Sequence, residues 1–569
     1  MAFAAPLRDL SFMLDHVVDY AALSQTDVFA EATQDLARQI VEEAGRLAAD
    51  VVAPVNRAGD LTPARLENGV VRASPGFGEA YRAIAEGGWI GMSAGVEHGG
   101  LGLPMVLTTA VNEMFAGACL ALQLNPLLTQ GQIEALAHHG SPALKEIYLP
   151  KLISGEWNGT MNLTEAGAGS DVGALTSRAV PNADGTYAVT GQKIFITWGD
   201  SDIVENVCHL VLARLPDGAP GTKGISLFLV PKYIPDAEGR PGVANSLKVV
   251  SLEHKLGLHG SPTAVMQFDG ATGWIVGEPH GGMKAMFTMM NNARLGVATQ
   301  GVGIAEAATQ VALAYAEERR QGRTPLGAGG IVDHADVRRM LATMKAMTFA
   351  ARGIVLDCAL AIDMAHATGA EDWVARAAFL TPIAKAFATD VGCEVAQMGI
   401  QVHGGMGFIE ETGVAQFARD VRVTAIYEGT NGIQAMDLVG RKMLDGGEAA
   451  FALIDGMQAA AEEAKGCAPA LAAAVWAATE TLREATEALV AQEMTDRFAG
   501  AVPYLRAFAL SLGGHYHLRA ALAAGAGSGR AALAAFFIGR LMPEYAAHLA
   551  HAREGAAGLY AVGPEVIAA

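Results

Sequence analysis

The spacing of apolar residues changes twice along this chain of 569 residues, and that change restricts its fold more than any other feature. Between Met161 and Ile275 the apolar residues form short, β-branched runs bounded by Gly, Pro, Asn and Asp, a pattern typical of strands. On both sides of this segment apolar residues recur at intervals of three and four, which predicts helices. The sequence therefore predicts helices, then strands, then helices, in a chain too long for a single hydrophobic core.

This pattern divides the chain into predicted domains. They are an N-terminal helical domain (1–160), a central β-domain (161–281), a helical bundle (282–445) and a C-terminal helical extension (446–569). In the β-domain we predict an antiparallel barrel or sandwich, with strands at Tyr187–Thr197, His209–Leu215 and Ile225–Pro231. In the first domain we predict a helix from Asp27 that ends at Pro54, a Gly-rich loop at Trp89–Pro104, and an apolar helix from Met105 to about Leu124.

Charge and cysteine content exclude several classes of protein. The net charge of −19 disfavours nucleic-acid binding. The five Cys are scattered and lack CxxC spacing, which indicates a reducing compartment and neither a disulfide framework nor a metal site. The N-terminus has no pattern of a secretory signal, and we find no uninterrupted apolar stretch of about 18 residues. We therefore expect a cytoplasmic protein without a membrane span.

Three Gly-rich segments carry polar side chains in a defined order. They are LTEAGAGSD (Leu163–Asp171), QVHGGMGF (Gln401–Phe408) and IYEGTNGIQ (Ile426–Gln434). Each alone is weak evidence, because such segments are usually turns. Together they resemble the acyl-CoA dehydrogenase family, flavoproteins in which a Glu removes a proton from a thioester. The resemblance covers roughly residues 80–445. It implies FAD, an acyl-CoA substrate, and a multidomain α and β fold in which the extra C-terminal helical domain follows the helical bundle.

Glu428 is the candidate catalytic residue. From the residues alone, this carboxylate could also stabilise a helix N-terminus, with Thr430 and Asn431 as caps. The resemblance assigns it to abstraction of the proton alpha to the thioester, which needs a positioned base in a pocket with little water. Some relatives carry the base on the helix around Asn291–Arg294, at a position that is Ala293 here, which has no carboxylate. The resemblance also implies that the Glu428 amide polarises the thioester carbonyl.

The remaining candidate residues follow from the same resemblance. FAD contacts within one subunit are assigned to Met161, Leu163, Thr164, Gly169, Ser170, Phe195, Thr197 and Thr430. Contacts to a neighbouring subunit's FAD are assigned to Arg319, Gln401, Gly404 and Gly405. Substrate contacts are assigned to Ser170, Asn291, Arg294, Glu428 and Gly429.

Several of these residues also have purely structural explanations. The segment Leu163–Asp171 could be an ordinary turn, Phe195 a buried strand aromatic, and Arg319 part of a solvated helix end. His403, alone in a Gly-rich turn, is expected to be a structural hydrogen-bonding residue. The chain also departs from the family pattern, because it has Ala166 where Pro is common and Gly322-Arg323 where Phe-Gly is usual.

The resemblance implies FAD-dependent α,β-dehydrogenation of an acyl-CoA by a homodimer, with electron-transfer flavoprotein as electron acceptor. The opening APLRDLSFMLDHV and the segment EGTNGIQAMDLVGRK resemble the 3-methylmercaptopropionyl-CoA dehydrogenase group. This favours a short- or medium-chain substrate, 3-methylthiopropanoyl-CoA among the candidates. Two alternatives stay open: an acyl-CoA oxidase that uses oxygen, and a non-catalytic flavoprotein interaction module.

Overall fold

A computed structural model describes residues 3–327 and 329–569. The segment before the β-domain is helical, as predicted, except for a small hairpin. Its helices are α1 (Leu7–His16), α2 (Tyr20–Leu23), α3 (Gln34–Leu47), α4 (Ala53–Leu61), α5 (Phe77–Glu86), α6 (Met105–His139) and α7 (Pro142–Ser154), and the hairpin strands are β1 (Arg65–Glu67) and β2 (Val70–Arg72).

The prediction of one helix from Asp27 to Pro54 is wrong at both ends. Helix α3 begins at Gln34, where the Thr33 hydroxyl accepts a hydrogen bond from the Leu36 amide at 3.2 Å. The chain then passes through a π-helical turn directly into α4, whose first turn contains Pro54. A proline in a first helical turn removes no essential N–H donor. Pro54 therefore marks the beginning of a helix and not its end.

Helix α6 is the central helix of the first domain and is longer than predicted. It continues through Pro126 to His139, with a break in helical geometry at Cys119. Contrary to our expectation, it is long and apolar enough to cross a membrane, but 94% of its most apolar window is buried inside the protein. It packs against the long bundle helix Gly282–Glu318. Its hydrophobicity is therefore explained by its place in the core.

The β-domain consists of strands whose pairings close a barrel. They are β3 (Trp157–Asn162), β4 (Arg178–Pro181), β5 (Tyr187–Thr197), β6 (Asn206–Arg214), β7 (Ile225–Pro231), β8 (Tyr233–Pro235), β9 (Pro241–Ala244), β10 (Leu247–Leu252) and β11 (Thr263–Val276). The ring runs β11, β5, β4, β6, β7 and back to β11, while β10 and β3 extend it and β8 pairs with β9. The prediction of purely antiparallel pairing is wrong, because β3 and β4 are parallel to β6. The long connections between these strands make parallel pairing possible.

Strand β7 shows how the barrel attaches to the helices. Every one of its residues is buried. Leu227 and Leu229 belong to the large helical core, whereas Phe228 and Val230 belong to the barrel interior. Because successive side chains point to opposite faces of a strand, a strand covered on both faces is apolar on both, and in β7 only Ser226 is polar. This contact fixes the β-domain against the helical domains.

Long helices follow the barrel and form the bundle. They are α8 (Gly282–Glu318), α9 (Ala335–Thr368), α10 (Glu371–His403), α11 (Val414–Val421) and α12 (Asn431–Val439). Helices α8 and α10 approach closely at Gly301 and Gly392, since a Cβ at Gly301 would collide with the Ala388 carbonyl. Small residues permit this approach, which sets the positions of the polar side chains on both helices.

The C-terminal extension is helical and packs on the bundle. Its helices are α13 (Glu448–Ala464), α14 (Pro469–Val490), α15 (Met494–Ala499), α16 (Ala501–Ala524), α17 (Gly529–Phe536), α18 (Glu544–Arg553), α19 (Ala557–Tyr560) and α20 (Pro564–Ala568). Helix α16 contacts α9 and α12, and its Tyr516 hydroxyl donates to Asp357 at 2.5 Å. The extension therefore supports α12, the helix that begins directly after the Glu428 segment.

Candidate active site

Glu428 lies in a sharp turn between a 3-10 turn and α12. Its backbone has a φ of +55°, and that of Gly429 a φ of +87°. A left-handed backbone is unfavourable for a residue with a Cβ and persists only where its surroundings hold it. At Gly429 a side chain is excluded as well, because a Cβ would lie 2.6 Å from Gln434 Nε2. The turn thus aims the Glu428 side chain in a direction that an ordinary helix start would not give.

Three hydrogen bonds, from residues of α10 and α12, hold this turn. Gln434 Nε2 donates to the Glu428 carbonyl at 3.1 Å, and Lys385 Nζ donates to the Gly429 carbonyl at 2.8 Å. The Thr430 hydroxyl accepts from the Ile433 amide at 3.3 Å and caps α12. The structural explanation for Thr430 is therefore correct, and its predicted FAD contact stays a prediction.

The charges around Glu428 favour a base that functions near neutral pH. Glu428 is partly buried. Burial raises the pKa of its carboxyl to about 7, outweighing the lowering by the positive charges of Arg294 and Lys385. A carboxylate with such a pKa holds a proton far more strongly than an exposed one and still ionises at physiological pH. The site can therefore abstract a proton and keep it.

The two predicted substrate residues on α8 are close to each other and face this region. Arg294 is buried, and its Nη1 donates to Asn291 Oδ1 at 3.3 Å. Arg294 Nε is buried without a partner among the described residues. Among the described residues, the Glu428 amide likewise donates no hydrogen bond. Two donors are thus available beside the carboxylate, while Ala293 is a buried methyl group that cannot act as a base.

A second cluster contains the LTEAGAGSD segment, which directly follows β3. Lys193 Nζ donates to the Leu163 carbonyl at 2.9 Å, and the Ile194 amide donates to the Thr164 carbonyl at 2.9 Å. These bonds join the end of β3, with Met161, to strand β5. The residues predicted to surround the flavin ring are therefore neighbours, although they lie about 30 positions apart in the chain.

Glu165, which the sequence analysis did not select, anchors this segment. Its carboxylate accepts hydrogen bonds from Thr176 and Ser177, through both amides and both hydroxyls, and from Lys193 Nζ at 2.9 Å. Burial opposes ionisation, but Lys193 and these hydrogen bonds lower the pKa of Glu165 to about 2. The turn beyond it is open, since a Cβ at Gly169 would meet nothing within 4 Å, and Ser170 is exposed.

Phe195 is an exposed aromatic residue on an irregular part of β5. The pairing of β5 with β11 shifts register between Lys193 and Ile196, and Phe195 has a φ of +61°. The ring is 60% exposed, so the alternative of a buried strand aromatic is wrong. Thr197, two residues on, is partly buried. A bulge that turns an aromatic face outward is suited to contact a planar ligand.

A third cluster lies where α8 and α10 end. The rings of Tyr315 and His403 stack with centroids 4.3 Å apart, which brings Arg319 and the QVHGGMGF segment together. Gln401, Gly404 and Gly405 are exposed, as are Arg319 and the aromatic ring of Phe408. His403 is buried, and its Nδ1 lies 2.7 Å from the Gly399 carbonyl, so its expected structural role is confirmed.

The third cluster is far from Glu428 within one subunit. Arg294 lies in the first half of α8 and Arg319 directly follows its last residue, which separates them by about 37 Å along the helix. Lys385 contacts the Glu428 turn, and Gln401 lies about 24 Å further along α10 by the same helical rise. Arg319 and Gln401 therefore lie on a part of the subunit surface that is separate from the Glu428 turn.

The comparisons with known proteins cover most of the chain. Family models described as acyl-CoA dehydrogenase N-terminal, middle and C-terminal domains match residues 34–156, 160–271 and 280–444, and one described as acetyl-CoA dehydrogenase C-terminal like matches 453–562. The 3-methylmercaptopropionyl-CoA dehydrogenase of Ruegeria pomeroyi is 46% identical over 89% of this chain and 88% of its own length. A butyryl-CoA dehydrogenase of Syntrophomonas wolfei is 36% identical over 76% of this chain and 75% of its own. An acyl-CoA dehydrogenase of Bacillus anthracis complexed with FAD shares the fold, with a TM-score of 0.76 at 21% identity over 98% of this chain and 93% of that one.

Proposed function

The chain belongs to the acyl-CoA dehydrogenase family, and from that premise we propose FAD-dependent α,β-dehydrogenation of a short- or medium-chain acyl-CoA with Glu428 as the base. The observation that carries this proposal is the Glu428 turn. Glu428 combines a left-handed backbone with a carboxyl group whose pKa burial raises to about 7, and positive charges lie nearby. These are the properties of a base for a weakly acidic carbon acid.

The residues of the second cluster, around the LTEAGAGSD segment, fit FAD. Phe195 presents an exposed ring that can cover one face of a flat tricyclic ligand, and the turn at Gly169 leaves space for a phosphate to approach the backbone. We assign the flavin ring to Met161, Leu163, Thr164, Phe195 and Thr197, the pyrophosphate to Gly169 and Ser170, and a further FAD contact to Thr430. Bound FAD supplies the oxidant that accepts hydride from the beta carbon.

Glu428 and its neighbours account for the proton half of the reaction. The carboxylate takes the proton from the alpha carbon of the thioester, and its raised pKa lets it keep that proton. The unpaired Glu428 amide is available to the thioester carbonyl, where negative charge develops as the proton leaves. Ser170, Asn291, Arg294 and Gly429 are assigned to the CoA thioester. Because the amide acts mainly on the developing charge, it stabilises the transition state more than the bound substrate.

The names of two relatives support a short acyl chain. By those names they act on 3-methylmercaptopropionyl-CoA and butyryl-CoA, so we propose substrates of this size for this chain. The distance of Arg319 and Gln401 from Glu428 supports a homodimer in which they, with Gly404 and Gly405, hold the neighbour's FAD. We propose electron-transfer flavoprotein as the acceptor.

The test is anaerobic bleaching of the bound flavin. Purified holoenzyme is mixed with butyryl-, octanoyl-, palmitoyl- and 3-methylthiopropanoyl-CoA, and the rate and extent of loss of flavin absorbance are measured. We expect bleaching with butyryl- and 3-methylthiopropanoyl-CoA and formation of the 2-enoyl thioester. A maximum at palmitoyl-CoA would contradict the short-chain proposal, and no bleaching with any thioester would contradict the dehydrogenase proposal. Reoxidation in air at a rate close to turnover would instead favour an oxidase.

A further inference from the structure

Lys385 is a charged residue in an apolar part of α10. It is fully buried, and its neighbours Ile383, Ala384, Ala386 and Phe387 are buried and apolar. Burying an ammonium group costs free energy unless hydrogen bonds and charges compensate it. A lysine here therefore needs a reason that core packing alone does not supply.

The partners of Lys385 all belong to the segment around the base. Its Nζ donates to the Gly429 carbonyl at 2.8 Å and to Asn431 Oδ1 at 2.9 Å. Asn431 in turn donates through Nδ2 to Asp390 Oδ1 at 2.7 Å and to Thr389 Oγ1 at 3.0 Å. The ammonium thus joins α10 to Gly429 in the turn and to Asn431 at the start of α12.

We propose that Lys385 is a positioning residue for Glu428, which fixes the left-handed turn and places a positive charge beside the carboxylate. This inference rests on the proposed dehydrogenase function. The turn argument is geometric: the Glu428 carbonyl is held by Gln434 and the Gly429 carbonyl by Lys385, so loss of either bond releases one end of the strained pair. The charge argument is separate, since Lys385 and Arg294 are the two cations that act on the carboxylate.

The charge states follow from the surroundings. Burial lowers the pKa of Lys385 to about 8, against the raising influence of Glu428 and Asp390. The ammonium is therefore protonated at pH 7. Removing it withdraws a charge that favours ionised Glu428, so the pKa of Glu428 rises and a higher pH is needed to form the base. The charged and titratable groups around the pair are Arg294 of α8, Asp390 and Cys393 of α10, and Tyr427 of the turn.

The test compares K385M and K385R by the pH dependence of anaerobic flavin reduction with butyryl-CoA. We expect the wild-type rate to rise with pH through about 7. In K385M the midpoint should shift upward by about one unit, which lowers the rate at pH 7 about fivefold through the smaller ionised fraction, with a smaller change in KM. K385R keeps the charge and should keep the midpoint. A purely structural role would lower the stability and leave the midpoint in place.

A matched control is K255M. Lys255 is another lysine whose pKa burial lowers to about 8, but its Nζ donates to the Ser261 carbonyl at 2.9 Å and not to the Glu428 turn. Its variant should keep the wild-type midpoint. If K385M does not fold, K385Q serves for the same measurement, because its amide can still donate a hydrogen bond to Gly429. A neutral variant that retains FAD and the wild-type midpoint would overturn the proposal. If wild type itself is not reduced by any acyl-CoA, it is the proposed function that fails.

Discussion

At the scale of single residues, Glu428 pairs a left-handed backbone with a partly buried carboxylate, a combination that folding alone does not require. We predict that Glu428→Gln keeps bound FAD and acyl-CoA affinity but loses dehydrogenation, because the amide has the same shape and cannot take a proton. A loss of about four orders of magnitude in the rate of flavin reduction corresponds to about 5.5 kcal/mol in the barrier. Stopped-flow reduction by butyryl-CoA measures it, and reduction within tenfold of wild type would remove Glu428 from the role of base.

The same substitution should stabilise the protein at alkaline pH. The pKa of Glu428 is raised from 4.5 to about 7 in the folded state. The stabilisation that the protonated carboxyl group contributes is therefore fully present below the unfolded-state pKa and is lost as pH rises through the folded-state pKa. At pH 8 the ionised carboxylate costs about 3 kcal/mol, which glutamine does not. We predict a higher melting temperature for Glu428→Gln than for wild type at pH 8, and equal values at pH 4.5. A lower melting temperature for the variant at pH 8 would contradict the buried-base explanation.

At the scale of elements, the turn after β3 depends on Glu165 more than on its glycines. Its carboxylate joins the Thr176–Ser177 segment and Lys193 of β5 to the LTEAGAGSD segment. Because its pKa is lowered to about 2, its stabilisation is present above the unfolded-state pKa and is lost as pH falls towards 2.

We predict that Glu165→Gln lowers the free energy of unfolding at pH 7 by about 3 kcal/mol and reduces FAD retention, measured as flavin absorbance per subunit after gel filtration. The control is Glu156→Gln, which removes an exposed ion pair with Lys151 and should cost less than about 1 kcal/mol. Equal FAD content in the two variants would show that Glu165 does not order the cofactor segment.

At the scale of the whole molecule, long helices separate residues that the proposed reaction uses together. Arg294 lies in the first half of α8 and Arg319 directly follows its last residue, about 37 Å away. Because the charge of Arg294 acts on Glu428, the site that we propose, which uses both Glu428 and Arg319, combines two subunits.

We predict that two inactive variants restore activity when their subunits are mixed. Arg319→Gln should lose FAD binding and Glu428→Gln should lose proton abstraction. In a mixed dimer, one site contains an intact Glu428 from one subunit and an intact Arg319 from the other. After unfolding and refolding an equal mixture, about a quarter of wild-type activity should return. Activity no higher than that of the separate variants, refolded in the same way, would contradict the shared site.

The order of helices and strands could be predicted from the sequence because it depends on local signals, and the choice of Glu428 as the base, which stays a prediction, rests on a local signal as well. Helix and strand periodicities are local, and Tyr187–Thr197 and Ile225–Pro231 were predicted with the bounds that the structure has. Glu428 was selected because its motif is a continuous segment. Pro54 was misjudged because a preceding π-helical turn, which has no strong sequence signal, changes what the proline does.

The tertiary structure alone decided the contacts that span long distances in the chain. The parallel pairing of β3 with β6 depends on how the strands come together in space. The alternation of apolar and polar residues within either strand carries no information about it. Lys385 and Gly429 are about 44 positions apart, and Glu165 and Lys193 about 28. A single charged residue in an apolar run signals only that a partner exists. Which partner it finds depends on how whole helices and strands pack, because hydrogen bonds and charges act over a few ångströms in space and without regard to distance along the chain.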